Sequence, residues 1–386
     1  MFHNLPHGGA KRATYEWVTR LSLEYQVDLY LVDDIAENFL NLKKNVNRTR
    51  VYSQKPLIVS NPIKRILSLI RIWFLSKKIV QDINSLDYDV ALIFQCQITN
   101  TPIILRKLNI PSLYICHETL ERIFEPHYTK EKRNPLVLMV RKVIINLCII
   151  LEKKSSKSAT LVCTTSLYSI ETLYKYFSFY PQLIYPGVKS THFKPSKIKK
   201  SGTVLSVGHL SQSKGHEFII KSLGTIKKER PKLIIVHKLE NQRFDYRSKL
   251  QQLADANQVE VEFKSSLSDK ELIRTYQSAK ITLCGYHLEP LGLVALESLS
   301  CGTPVISVEE AGLRETVINN YTGFLCPRDI AEFGNAISKL YNDDELIEEM
   351  GQNGIQEVYR RWSWDFSTNQ LKIKIKNTIK KFKIER

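Results

Sequence analysis

Two patterns of apolar residues alternate along most of the chain. Short continuous runs rich in Val, Ile, Leu and Phe fall at residues 27–32, 90–94, 112–116, 159–164, 203–207, 233–236, 259–263, 281–284, 305–308 and 323–326. Bounded by polar or turn-forming residues, such runs predict strands buried on both faces of a parallel sheet. Between them lie stretches with helical spacing, such as Ala13, Trp17, Leu21 and Tyr25 within residues 10–25, and a further helix over 166–176. The alternation predicts an α/β protein with two parallel sheets. The polar, lysine-rich residues 194–202 separate the two sets and are expected to form a linker between domains at 1–193 and 203–364.

Residues 61–79 and 134–154 break the pattern because they are long, apolar and basic. The first sets Lys64, Arg65, Arg71, Lys77 and Lys78 among Ile, Leu, Trp and Phe; the second is almost wholly apolar over 135–151 except for Arg141 and Lys142. Both are too charged to span a bilayer and are suited either to lying on one or to forming core helices with a solvated cationic edge. The glycine turn Pro6-His7-Gly8-Gly9 follows only four residues that could supply a strand, so the first strand is either a stub or begins upstream of Met1.

Composition narrows the classes of function. A net charge of +17 calls for a tolerant partner, among which an anionic membrane surface, nucleic acid and phosphorylated substrates are candidates. No zinc-finger spacing or RNP-type aromatic signature supports nucleic acid, so none is expected as a partner. Seven cysteines without a CxxC argue against a disulfide framework and against a zinc cage; no metal is expected. The N-terminal residues carry no apolar secretory core, so a cytoplasmic protein is expected, with peripheral attachment to the inner face of the membrane.

Candidate chemistry concentrates in the run EPLGLVALESLSCG at 289–302, where Glu289 and Glu297 stand eight positions apart across a loop-to-helix junction. A helix beginning near Gly292 presents free backbone N–H groups at its positive end, a site for phosphate. Two acids flanking an anion site suit a ligand with phosphates in the middle and hydroxyl-bearing sugars on either side. Alone, the pair favours the plainer reading of a turn residue and a solvated helix position. Other candidates are His117, at the carboxyl end of the run 112–116, and Lys214, in a strand–glycine turn–lysine–helix layout that lacks both common phosphate-loop signatures.

Together these pieces resemble the family 4 glycosyltransferases, retaining enzymes of the GT-B fold. The resemblance rests on LPHGGAKRA at 5–13, IYPGVKSTHF at 184–193, VGHLSQSKG at 207–215, EPLGLVALESLSCGTPVIS at 289–307, AGLRETV at 311–317 and YTGFLCP at 321–327. It implies two Rossmann-like domains facing across a cleft, with residues 365–386 forming a helix that crosses back to the first. It further implies a nucleotide-sugar donor, no cofactor, and a glycan or lipid-linked acceptor. Glu289 would then contact the donor sugar near the reacting centre, with His117 facing that sugar. Gly8, Gly9, His209, Lys214, Gly292, Leu293 and Val294 would hold the diphosphate, and Glu297 the ribose. His209 stands where the family usually has arginine, and VHKLEN at 236–241 replaces a glycine-rich turn. These departures keep open a non-catalytic nucleotide-sugar-binding partner subunit, and the fold itself an epimerase or phosphorylase.

Overall fold

The computed structural model describes residues 1–5, 8–38, 40–53, 62–118, 135–238 and 244–384. Pro6, His7 and residues 239–241 of VHKLEN lie outside that set, as do the side chains of Lys64, Arg65 and Arg141. The chain divides into two units, Met1–Pro186 with Trp364–Arg386, and Gly187–Ser363.

The first unit contains strands β1 (Phe2–Asn4), β2 (Asp28–Leu31), β3 (Arg48–Val51), β4 (Ala91–Cys96), β5 (Ser112–Cys116), β6 (Leu161–Thr164) and β7 (Gln182–Leu183). They form one parallel sheet in the order β3-β2-β1-β4-β5-β6-β7. The three-residue β1 is short, yet it lies inside the sheet, with Phe2 opposite Tyr30 of β2 and Ile93 of β4. Helices α1 (Gly9–Leu21), α2 (Pro62–Asn84), α3 (Pro135–Lys157) and α4 (Leu167–Phe177) connect the strands. The α2 and α3 helices run on past the segments 61–79 and 134–154 marked out by the apolar pattern, to Asn84 and Lys157. Beneath β1, Lys11 of α1 and His3 converge on Glu37, all three buried. Burial opposes ionisation of Glu37, but His3 and Lys11 together outweigh it and hold its carboxyl down at about 2.

The second unit contains β8 (Thr203–Val207), β9 (Lys232–His237), β10 (Val261–Ser265), β11 (Ile281–Cys284), β12 (Val305–Val308) and β13 (Gly323–Cys326). They too are parallel, in the order β10-β9-β8-β11-β12-β13. Around them lie α5 (His216–Gly224), α6 (Phe244–Ala256), α7 (Asp269–Ser278), α8 (Leu293–Ser300), α9 (Leu313–Thr316), α10 (Ile330–Tyr341) and α11 (Asp344–Arg361). Local chemistry sets several starts: Ser268 and Glu271 close a capping box on α7, and Asp329 accepts from two amides of α10. Counted from β8, the order is 3-2-1-4-5-6, that of a doubly wound nucleotide-binding sheet.

Residues 194–202, expected as the linker, lie inside the second unit. Lys194 accepts at its carbonyl from Gln277, and Lys200 donates to Thr303, so hydrogen bonds hold this polar stretch where no apolar pattern announced it. The crossing points are instead Pro186/Gly187 and Ser363/Trp364. The last helix, α12 (Trp364–Ile384), belongs to the first unit and packs on α1. There Trp17 Nε1 donates to Ser367 Oγ at 2.7 Å, Trp364 meets Trp17 edge-on, and Leu371 and Ile375 join a core containing Leu29, Leu31 and Phe94.

Candidate functional site

The strand order of the second sheet reverses between β8 and β11, and an open α/β sheet binds ligands at the carboxyl ends of the strands on either side of such a point. The loop after β8 is tied there to the loop after β11. The His287 amide donates to the Ser213 carbonyl at 2.8 Å, and the Tyr286 hydroxyl to the Val207 carbonyl at 2.6 Å. Gly215 has φ +64°, and a Cβ on it would lie 1.8 Å from the Gly285 carbonyl oxygen, so only glycine allows this approach. His216, fully buried, braces the turn from below, with Nε2 on the His209 carbonyl and Nδ1 on Ser206 Oγ, both at 3.2 Å. Burial pushes its pKa down to about 4, and a neutral ring with one donor and one acceptor nitrogen satisfies both partners. His209 is itself exposed at the rim.

Across this junction Lys214 Nζ donates to Glu289 Oε2 at 2.6 Å and lies 4.6 Å from the centroid of the Tyr286 ring. The two side chains are 22% and 23% exposed, open to a ligand but partly shielded from water. Leu288, immediately before Glu289, sits at φ +46°, a left-handed conformation that costs a leucine on the order of 1 kcal/mol. Further on, Gly292 at φ +94° opens α8 without a side-chain cap, leaving the first-turn amides of Leu293 and Val294 at the positive end of the helix. Glu297, one turn further in, is buried and accepts from the Tyr276 hydroxyl at 2.9 Å.

A second ion pair supports the first. The Arg328 guanidinium, following β13, binds both carboxylate oxygens of Glu310, following β12, at 2.6 Å. It also donates to the carbonyls of Gly285 at 2.9 Å and Tyr286 at 2.6 Å. Burial opposes ionisation of Glu310, but Arg328 outweighs it and holds the carboxyl below its ordinary range. Sequence reasoning missed Arg328, Glu310, Tyr276, Tyr286 and His216. The signal that could have found the first two is their position directly after consecutive strands.

Of the sequence-derived candidates, His209, Lys214, Glu289, Gly292, Leu293, Val294 and Glu297 thus occur on the second unit; His117, Gly8 and Gly9 belong to the first. Gly8 precedes α1 with no atom within 4 Å of where a Cβ would stand, and Gly9 is the first residue of that helix. His117 follows β5, its ring stacked on Trp17 at 6.3 Å. Its amide donates to Gln95 Oε1, and Gln95 in turn holds Asn100, which reaches buried Glu152. The ring's Nε2 is shut off from solvent and has no hydrogen-bond partner among the described residues. Burial pushes the pKa of His117 down to about 4. At pH 7 the ring is therefore an uncharged hydrogen-bonding group and a weak base.

Residues 188–357 match the family model described as Glycosyl transferases group 1. Among curated proteins, the chain is 30% identical over 227 residues to a probable sucrose-phosphate synthase of Thermosipho melanesiensis, covering 54% of this chain and 53% of that one. It is 29% identical over 213 residues to the human alpha-1,3/1,6-mannosyltransferase ALG2, covering 50% of this chain and 51% of that one. The chain thus spans about half the length of the curated relatives it matches. Among solved structures, sucrose-phosphate synthase from Thermosynechococcus elongatus superposes with a TM-score of 0.77 at 20% identity, covering 97% of this chain and 95% of that one. Anabaena HepE in complex with UDP and glucose superposes at 0.72 and 20% identity, covering 97% and 98%. Both have the GT-B fold, and the two Rossmann-like sheets described above are that fold.

Proposed function

From the premise that this chain carries a glycosyl transferases group 1 region on a GT-B fold, we propose that it is a retaining glycosyltransferase of family 4 that uses a nucleotide-sugar donor. The observation that carries the reading is the Lys214–Glu289 pair, set at the strand-order reversal beside the uncapped start of α8. In this reading the second unit holds the donor. Lys214 and the amides of Leu293 and Val294 take the diphosphate, Gly292 giving the backbone its close approach, with His209 at the rim. Glu297 takes the ribose, and Glu289 contacts the sugar. As the bond from the anomeric carbon to the diphosphate oxygen breaks, the electron pair leaves with the nucleoside diphosphate. A fixed cation and preorganised amides stabilise that charge more in the transition state than before it. The acceptor hydroxyl oxygen forms the new bond and releases its proton. This assigns charge stabilisation to lysine and backbone rather than to a metal.

The first unit selects the acceptor, a glycan or lipid-linked sugar, and its uncharged His117 offers a hydrogen bond to a sugar hydroxyl. That HepE was solved with UDP-glucose makes uridine diphosphate sugars the first donors to try. The test is a thermal-shift screen of nucleoside diphosphates and their sugars, followed by product analysis with and without acceptor. A ligand of the folded state raises its melting temperature. Stabilisation by a nucleotide sugar, with transfer that depends on an acceptor, supports the proposal. Binding without turnover of any donor would show a binding subunit instead, and sugar conversion without acceptor an epimerase.

A further inference from the structure

The two basic amphipathic helices of the first unit are apolar on two faces. One face of each enters the core, through Ile72, Ile79 and Ile83 on α2 and Ile144, Ile145 and Cys148 on α3. The other faces water: Ile70, Trp73 and Phe74 on α2, and Val143, Leu147 and Ile150 on α3, with Phe74 60% and Leu147 56% exposed. The spacings i, i+3, i+4 and i, i+4, i+7 make each set a stripe. On both helices the exposed face turns basic toward the carboxyl end, at Lys77 and Lys78 on α2 and Lys153 and Lys154 on α3. Lys77 Nζ lies 3.5 Å from the centroid of the Trp73 ring, so cation and aromatic body already form a pair. The two helices pack against each other.

We propose that these stripes dock the first unit on an anionic lipid surface, with the apolar halves entering the acyl boundary and the lysines at the headgroups. No helix among the described residues is long and apolar enough to cross a membrane, so attachment through these helices is along the surface. Charge selects the occupant: residues 62–80 and 135–151 contain no acidic residue, so a second copy seated face to face would set lysine against lysine. Topology adds a consequence. Both helices are crossovers between parallel strands, α2 from β3 to β4 and α3 from β5 to β6, so both begin at the carboxyl edge of the sheet. The apolar stripes therefore lie nearer than the lysines to the edge that carries His117. On the transferase reading, a lipid-linked acceptor would be met at that edge; the docking itself does not depend on that reading.

Pelleting the full chain with vesicles of phosphatidylcholine and phosphatidylglycerol, against vesicles of phosphatidylcholine alone, tests this directly. Wild type is expected to pellet with the anionic vesicles only and to be released by added salt. Phe74→Glu combined with Leu147→Glu, and separately Lys77→Glu with Lys78→Glu, should each weaken partitioning about tenfold or more. Unchanged melting curves confirm that the variants fold, and the salt titration of wild type stands without them. Equal binding to neutral vesicles, no pelleting with either, or a wild-type dimer dispersed by these substitutions would overturn the proposal. Because lipid binding is read without donor or acceptor, failed transfer and failed docking are separate results.

Discussion

The two sheets share the strand order 3-2-1-4-5-6 over their common strands, yet their carboxyl edges are finished in opposite ways. In the second unit the edge is charged and internally satisfied: Lys214 on Glu289, Arg328 on Glu310, and loops joined through His287 and Tyr286 and braced by His216. In the first, the ring of His117 is uncharged at neutral pH, lies against Trp17, and keeps an enclosed nitrogen without a partner among the described residues. Topology decides where a ligand can sit, and the side chains decide what kind. The charged edge suits a diphosphate, whose binding exchanges one set of charge-assisted bonds for another. The aromatic, uncharged surface at His117 suits a hydroxyl-bearing ligand, which needs a hydrogen bond and a flat apolar surface more than a counter-charge.

The most drastic way to break this comparison is to remove residues 364–386. Trp17, Leu29 and Leu31 then lose the cover of Trp364, Leu371 and Ile375, and the first unit is expected to unfold while the second keeps its sheet. Amide exchange resolved by segment checks it; equal loss of protection in both units would show that they are not separable in stability. Next in size, Lys214→Ala and Glu289→Ala should each lower turnover about 10²–10³-fold with a smaller change in donor affinity, as for loss of one preorganised electrostatic group. Steady-state kinetics would contradict the assignment if affinity alone fell.

Acid should then act on both edges. His216 and His117 are each pushed by burial from 6.5 down to about 4, so the unfolded chain binds protons more readily than the folded one. Their contribution is complete above pH 6.5 and is lost progressively as the pH falls to about 4, by roughly 2–3 kcal/mol for His216 and less for the partly exposed His117. Denaturant midpoints at pH 7 and pH 5 measure the loss, and His216→Gln should flatten it. The smallest effect expected is at Glu297. Replacing it with Ala leaves the buried Tyr276 hydroxyl without its acceptor, a cost of about 1–3 kcal/mol, and should weaken donor binding by about tenfold while turnover changes less. Calorimetric titration of donor against the variant decides whether Glu297 serves the ligand or only Tyr276.

Much of the second unit was legible because its central strands are buried on both faces and read as unbroken apolar runs: β8, β11 and β12 fall where the pattern put them, as does the mostly buried edge strand β13. The edge strands β3 and β7 were not, since Arg48, Thr49, Arg50 and Val51 carry no apolar run and Gln182–Leu183 is only two residues long. The same division holds at the site. Gly292 and the glutamate pair declare themselves through spacing in one short stretch. The Arg328–Glu310 pair and the His216 brace join residues far apart in sequence or below the surface, and their partners are created only by the sheet. The enclosure of His117 is illegible for a related reason: its neighbours Trp17 and Gln95 come from other elements.

The return of α12 to the first unit also sets an order of assembly. The second unit is one uninterrupted stretch, and every residue it needs has been made before Trp364 is added. The first unit, though it contains the earliest residues, cannot bury Trp17 until the latest ones arrive. On the ribosome the usual sequence of domain folding would therefore be reversed, with the later unit complete while the earlier one waits with its sheet half covered.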